Sequence, residues 1–376
     1  MSGTPQLAPT RIKIWQKNLN KSRVAQEDLI NSDIYRNYDI LALQEPYIDA
    51  YGNTKATRDW RVVYPSSLLS NSSLPRVVML ISNSINTNHW AQLHILNMQD
   101  LIAIRISNEF GKLTIFNLYN NCQNSDTIDA LEEYLASQPQ APHPSHPDYS
   151  IWCGDFNHHH PMWDEEWHHH LFTAGILEDS GKLLILVADS NMVMGLPKDI
   201  PTLESMSTKN WTHPDNIFCS SNLEEKIVYC TTDPRLQGPG TDHVPILTAL
   251  EFPVARISEA ASYNFRAIDW EAFRMELTIR LSDFPDLVML STNTAFQTTV
   301  CNLTNALQDT VRTTVPHAWP SPHSKRWWSN ELTTLKGKKN KLSNMSYKYH
   351  TMPSHPIHKE HRVICRLYSE AITTAK

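Results

Sequence analysis

Short apolar or β-branched runs, separated by polar turns, recur along the first two thirds of the chain. They predict strands at 11–17, 39–44, 60–64, 76–82, 101–106, 113–118, 149–153, 214–219, 226–230 and 244–250. In the first of these, Ile12, Ile14 and Gln16 alternate with Lys13, Trp15 and Lys17. A helix is expected from Asp126 to Ser137, with Ile128, Leu131 and Leu135 on one stripe and Asp126 as its N-cap. The Pro-rich stretch 140–147 reads as a stiff loop. After Pro253 the pattern turns helical. Trp270, Phe273, Leu277 and Leu281 share a face, and a further helix is expected from Trp328 to Leu342, capped by Ser329. The implied architecture is α/β, with two facing mixed sheets flanked by helices and a helical C-terminal extension.

Several strands end abruptly in chemistry. Ile151-Trp152-Cys153 runs into Gly154-Asp155-Phe156-Asn157, which presents a carboxylate and a carboxamide two residues apart, on the same face of an extended chain. Such a pair can hold a hydrated metal, an attacking water or a phosphate. Taken alone, the segment is equally well an Asx turn after a strand. Asp39 to Leu43 leads to Gln44-Glu45-Pro46, Gly240-Thr241-Asp242-His243 precedes another apolar run, and the first strand ends in Asn18-Leu19-Asn20. Leu113 to Leu118 delivers Tyr119 and Asn120. Singly, each Asn is an ordinary turn residue and Tyr119 an ordinary aromatic. It is their joint occurrence at strand ends that points to a site.

In this order the motifs resemble the endonuclease/exonuclease/phosphatase superfamily, and most closely the apurinic-type endonuclease domain of non-LTR retrotransposons, over residues 10 to 252. The resemblance implies a four-layer α/β sandwich and a metal-dependent phosphodiesterase that nicks DNA to leave 3′-hydroxyl ends. It implies that Glu45, with Asn20 and Asp242, holds Mg²⁺ (or Mn²⁺), that Asp155 aligns or deprotonates water, and that Asn157, Asn18, Tyr119 and His243 bind phosphate oxygens. The family's His-orienting Asp falls on Asp215 in His213-Pro214-Asp215-Asn216-Ile217-Phe218, where Pro214 replaces the usual Ile. Thr202 and His159, the latter in His159-His160-Pro161-Met162-Trp163, match segments of retroelement members and are expected near DNA, as is Arg76 at the start of its strand. Two other classes share the site chemistry or the fold: a phosphatase or phosphodiesterase acting on inositol phosphates or other small substrates, and an inactive nucleic-acid-binding retroelement remnant.

Composition narrows the choice. The chain has 376 residues, among them ten Gly, and carries neither Gly-x-Gly-x-x-Gly nor a Walker A sequence, which argues against a nucleotide-binding glycine loop. Six Cys without a Cys-x-x-Cys pair suggest free thiols in a reducing compartment, and no secretory leader or membrane-spanning run is evident, so an intracellular protein is expected, nuclear at its site of action. His158-His159-His160 and His168-His169-His170 are a possible transition-metal site, but three adjacent His on a regular backbone do not converge on one ion. A DNA-facing loop or a half-exposed helix start is the preferred reading.

Charge is segregated. Residues 316–376 hold eight Lys and three Arg against three Glu, a net of +8, so the total of −6 leaves −14 on residues 1–315. The basic segment, with Lys325-Arg326-Trp327-Trp328 leading to Lys336-Gly337-Lys338-Lys339-Asn340-Lys341, resembles the link between endonuclease and reverse transcriptase in non-LTR elements. Residues 253–376 are therefore expected to form a helical basic tail, upstream of a reverse transcriptase absent from this chain. The tail reads as an arm for DNA or element RNA, or as a solvated helix face.

Overall fold

The computed structural model describes residues 11–66, 74–95, 98–138, 146–205, 210–256, 263–282, 284, 292–317 and 327–376. The chain packs as two compact units, residues 1–257 with 323–376, and residues 258–322. The stretch 253–376, expected as one tail, thus divides between them.

In the first unit two six-stranded sheets face each other. Chain order gives β1 (Ile12–Asn18), β2 (Ile40–Gln44), β3 (Trp60–Val63) and β4 (Val77–Ser82) to the first sheet. The second receives β5 (Trp90–Leu93), β6 (Leu101–Asn108), β7 (Gly111–Tyr119), β8 (Asp148–Asp155) and β9 (Met192–Met194). A short pair, β10 (Leu203–Glu204) and β11 (Trp211–Thr212), precedes β12 (Asp215–Ser220) of the second sheet, and β13 (Ile227–Thr232) and β14 (Ile246–Leu250) return to the first. The orders are β13-β14-β1-β2-β4-β3 and β5-β6-β7-β8-β12-β9. Each sheet is antiparallel apart from one central parallel pair, β1 with β2 and β7 with β8. All ten expected strands are present, and the architecture is the expected α/β sandwich.

The period-2 alternation decides which side chains go where. Ile14, Ile40, Met79, Ile104, Ile115, Ile151 and Ile217 meet between the sheets. The intervening Trp15, Leu41 and Leu43 turn to the outer face of the first sheet, under Ala25 and Leu29 of α1 (Arg23–Ile30). After the short α2 (Ile34–Asn37), α3 (Asp126–Ser137) and α4 (Ala174–Asp189) cover the other outer face, where Ile128, Leu131 and Leu183 pack on Phe116, Trp152 and Phe218. The cap of α3 is Ser125, one residue before the expected Asp126, which instead sits in the first turn near the helix dipole's positive end.

The second unit holds α5 (Trp270–Leu281) and α6 (Asn293–Thr314). Phe273, Leu277 and Leu281 are half-buried on α5, while Trp270 is 55% exposed. α7 (Asn330–Lys348) and α8 (Pro356–Ala375) belong to the first unit. Ser329 caps α7 as expected, accepting a hydrogen bond from the Leu332 N–H. Trp328, Leu332, Tyr368 and Ile372 form a small core against Val24 of α1. Polar contacts reinforce it: Asp28 accepts from Tyr368 Oη at 2.6 Å and from Lys336 Nζ at 2.7 Å, Ser343 Oγ donates to the Pro234 carbonyl at 2.5 Å, and Lys376 binds Glu27. The basic segment is therefore only in part a solvated face. Lys339 is buried, and Lys338 and Lys341 are exposed.

Candidate functional site

Both central parallel pairs end at the same edge of the sandwich, and the candidate residues leave from those ends. In the second sheet, register aligns Tyr119 with Asp155 and Asp155 with Asp215, three neighbours in a row across β7, β8 and β12. Close strand approach is required there: a Cβ on Gly154 would sit 2.2 Å from the Leu118 carbonyl oxygen. In the first sheet Asn18 aligns with Gln44, and Glu45 follows. Amides bridge the two layers. Gln16 Nε2 donates to the Gly154 carbonyl at 2.8 Å, Gln44 Nε2 donates to Asn117 Oδ1, and Asn117 Nδ2 donates to the carbonyls of Leu43 at 3.1 Å and Val78 at 2.9 Å. All three residues are buried, so these bonds fix one sheet against the other where unpaired polar groups would be costly.

Asp155 lies at the centre. Its Oδ2 accepts from Asn18 Nδ2 at 2.8 Å and its Oδ1 from the Asn157 N–H at 3.1 Å. The Asx turn and the carboxylate presentation are thus the same structure. Asn18 also accepts from the Asn20 N–H at 2.7 Å, and Asn157 Nδ2 donates to the Asn120 carbonyl at 2.7 Å. Asn120, which the sequence places beside Tyr119 at the strand end, was given no role there; its backbone carbonyl holds the Asn157 side chain. On the opposite side, His243 Nε2 stands 3.9 Å from Asp155 Oδ2 and 3.9 Å from Asp242 Oδ1. His243 Nδ1 is 2.7 Å from Asp215 Oδ2, which also accepts from Thr202 Oγ1 at 2.8 Å. Pro214 does not disturb this approach: its carbonyl accepts from the Phe156 N–H at 3.0 Å, and Asp215 enters β12 in register.

Burial and charge work together here. Burial pushes the Asp155 carboxyl up to about 7, with Asp215 adding to the rise against the pull of His243, Asn18 and the Asn157 N–H. Burial disfavours the His243 imidazolium, but Asp215, Asp155 and Asp242 outweigh it and raise His243 to about 9. The surrounding carboxylates favour the charged ring, whose Nδ1 donates to Asp215 while Nε2 faces Asp155 and Asp242 at 3.9 Å. Tyr119, half-buried beside Glu45 and Asp155, is shifted well above the ordinary phenol range, first by burial.

Strain concentrates at the same edge. Among the described non-glycine residues, positive φ occurs at Asn20, Lys21, Glu45, Asn157, Asn191 and Asp199, and the first four lie at these strand ends. Such backbone costs about 1–3 kcal/mol per residue and is characteristic of functional sites. Glu45 is nearly buried, and its Oε1 holds the Lys21 ammonium at 2.9 Å.

Other expected residues occupy different places. Thr202, expected to face DNA, is fully buried behind Asp215 and orients that carboxylate. Asn18, expected on a phosphate, is turned to Asp155. His159 points at Asp164 (3.3 Å), which also accepts from the backbone N–H groups of His160 at 3.1 Å and His213 at 2.9 Å. The second histidine triplet lies in a short 3-10 helix, Glu166–Leu171. Arg76 is engaged by Asp100, with Nε 2.7 Å from Oδ1, and its guanidinium covers the Tyr119 ring at 5.0 Å. Lys17 is buried and donates to the Gln237 carbonyl.

Among the described residues, the His, Asp and Glu side chains that converge within 4.8 Å are Asp155, Asp215 and His243. The sequence profile of a family described as endonuclease-reverse transcriptase matches residues 113–247, which span this row from Tyr119 to His243. Over that span the chain is similar to the endonuclease-reverse transcriptase family. Its solved relatives in shape include the endonuclease domain of TRAS1, a telomere-specific non-LTR retrotransposon, at 18% identity over 64% of this chain and 98% of that one, TM-score 0.49. An AP endonuclease from Leishmania major is similar at 15% identity, 65% and 88% coverage, TM-score 0.48. A 3′ phosphatase from Neisseria, bound to a product DNA hairpin, is similar at 16% identity, 64% and 100% coverage, TM-score 0.45. No curated protein matches the sequence significantly. Asp155, Asp215 and His243 are residue types that ligate metals.

Proposed function

We propose that the protein is a divalent-metal-dependent phosphodiesterase that nicks DNA and leaves a 3′-hydroxyl end, acting in the nucleus. The observation that carries this reading is the His243–Asp215 pair at 2.7 Å facing Asp155 across 3.9 Å, at a strained sandwich edge. Asp155 accepts the proton of a water and aligns it for in-line attack on phosphorus. His243, held charged by Asp215, donates from Nε2 to a non-bridging phosphate oxygen, and Asn157 and Tyr119 complete that clamp. Thr202 keeps Asp215 in place.

The oxygen donors of Glu45, Asn20 and Asp242 suit Mg²⁺ or Mn²⁺, and the Lys21 ammonium on Glu45 marks a position where a cation is stabilised. Asp155, Asp215 and His243 make a poorer cradle, because Nδ1 of His243 and Oδ2 of Asp215 already bond each other and the ring is cationic. When bound, the metal supplies charge neutralisation at the phosphate and the departing 3′ oxygen.

The test is nicking of supercoiled plasmid by the full chain in Mg²⁺ or Mn²⁺, with EDTA as the blank and polymerase extension to read the 3′ end. Nicking lost in Asp155→Ala and in EDTA, with extendable ends, supports the reading. A folded wild-type chain that nicks in neither metal overturns it.

A further inference from the structure

A cavity of about 360 Å³ opens beside the proposed metal position, within the size range of small-ligand sites. Asn20, Thr241 and Asp242 form one wall and His361, Arg362 and Cys365 of α8 the other, with Glu204 also at the rim. The C-terminal helices thus do more than cover the sandwich; one of them builds part of the catalytic edge. We propose that Arg362 binds a backbone phosphate of the DNA strand in this cavity, a role that rests on the nuclease reading above.

Three observations carry it. First, the cavity contains Asn20 and Asp242, so a strand seated at the site passes along it. Second, its lining includes two carboxylates, Asp242 and Glu204, and a polyanion entering there requires a compensating cation. Arg362 supplies it: the residue is exposed, and among the described residues its guanidinium makes no ion pair or hydrogen bond, which leaves a planar fork free for phosphate oxygens. Third, α8 is a rigid mount, fixed through Tyr368 to Asp28 at 2.6 Å and through Lys376 to Glu27. His361 does not share the task. Burial, with Lys339 and other cations adding, lowers it to about 4, so it is neutral at pH 7 and bonded to Cys365 Sγ at 3.2 Å. The contrast with Arg76, whose guanidinium is already held by Asp100, is direct.

The experiment is fluorescence anisotropy of a labelled duplex of about 30 base pairs with the full chain in EDTA, titrated with salt, alongside plasmid nicking. Arg362→Ala is expected to raise Kd about five- to tenfold and to make the slope of log K against log salt shallower by about 0.9, the value for one phosphate contact. Arg362→Lys should restore the slope and part of the affinity. Lys341→Ala, which removes a charge from an exposed position on α7, should change neither. Wild-type Kd and slope in Arg362→Ala, or an equal loss in Lys341→Ala, overturns the proposal. A chain that binds DNA but does not nick defeats the phosphodiesterase reading alone, with Arg362 still judged by the slope; a wild type that does not bind DNA defeats both.

Discussion

His243 and Lys339 are both buried side chains that can carry a positive charge, and their proton affinities move in opposite directions. At the candidate site, three carboxylates surround one imidazole, and the ring is pushed up to about 9 against the cost of burial. At the seam between α1 and the C-terminal helices, Lys17, Lys336 and Lys339 share Asp28. Burial lowers Lys339 to about 8 and Lys17 to about 7, and the neighbouring ammonium groups add to the fall. Burial opposes the cation in both places. The count of carboxylates per cation decides the outcome. An excess of acid stores a charge for chemistry, and an excess of base makes an attachment with a cost that varies with pH.

The largest effect expected from this comparison is on rate. Asp155→Ala should reduce nicking by about 10²–10⁴-fold, while the melting temperature stays close to wild type; a matching loss of stability would erase the distinction between the two regions. Next is Asp28→Ala, which leaves three lysines without their shared carboxylate. It should cost about 3–5 kcal/mol in chemical denaturation, the range for breaking a buried pair, and should leave the rate per folded molecule intact.

A third, smaller effect is on pH dependence. The folded value of Lys339 lies below the ordinary lysine value, so the unfolded chain binds the proton more tightly between them. Its contribution is present above the unfolded value and is lost as pH falls through about 8. Lys339→Met should therefore raise stability at pH 7 by on the order of 2 kcal/mol and flatten the rise between pH 8 and 10. Denaturation curves at those three pH values decide it. An unchanged slope would mean that the ammonium is solvated. The smallest effect is that of Arg76→Ala, which should weaken DNA binding less than about threefold because its charge is already paired, in contrast to Arg362.

Much of this was legible before any fold was in view. The strands of both sheet centres announced themselves as apolar runs, since those strands are buried on both faces. Their abrupt ends named Glu45, Tyr119, Asp155, Asp242 and His243. What was not legible lay in partners. Nothing local distinguishes a DNA-facing Thr202 from one bonded to Asp215, because the two meet only when β10 and β12 are brought together. The strands β5 and β9 are edge elements with weak patterns, and α1 and α4 went unremarked for want of a clear stripe. The Lys-rich helix read as a solvated or DNA-binding arm. That Lys336 and Lys339 turn inward depends on Asp28, some 300 residues away in sequence.

The amide bridges from Gln16 to Gly154, and from Gln44 to Asn117, behave as alignment pins between two plates. A sandwich with an oily interface tolerates sliding, since one apolar contact replaces another at little loss. Directional bonds do not. Replacing Gln44 and Asn117 together by Leu, with Gln16→Leu, would remove both pins without leaving a side-chain amide orphaned, and the protein would keep much of its resistance to denaturant. Its two half-sites, one on each plate, would lose their common datum. Precision and durability in this protein are therefore separate inheritances, and a variant selected only for the second is free to drift away from the first.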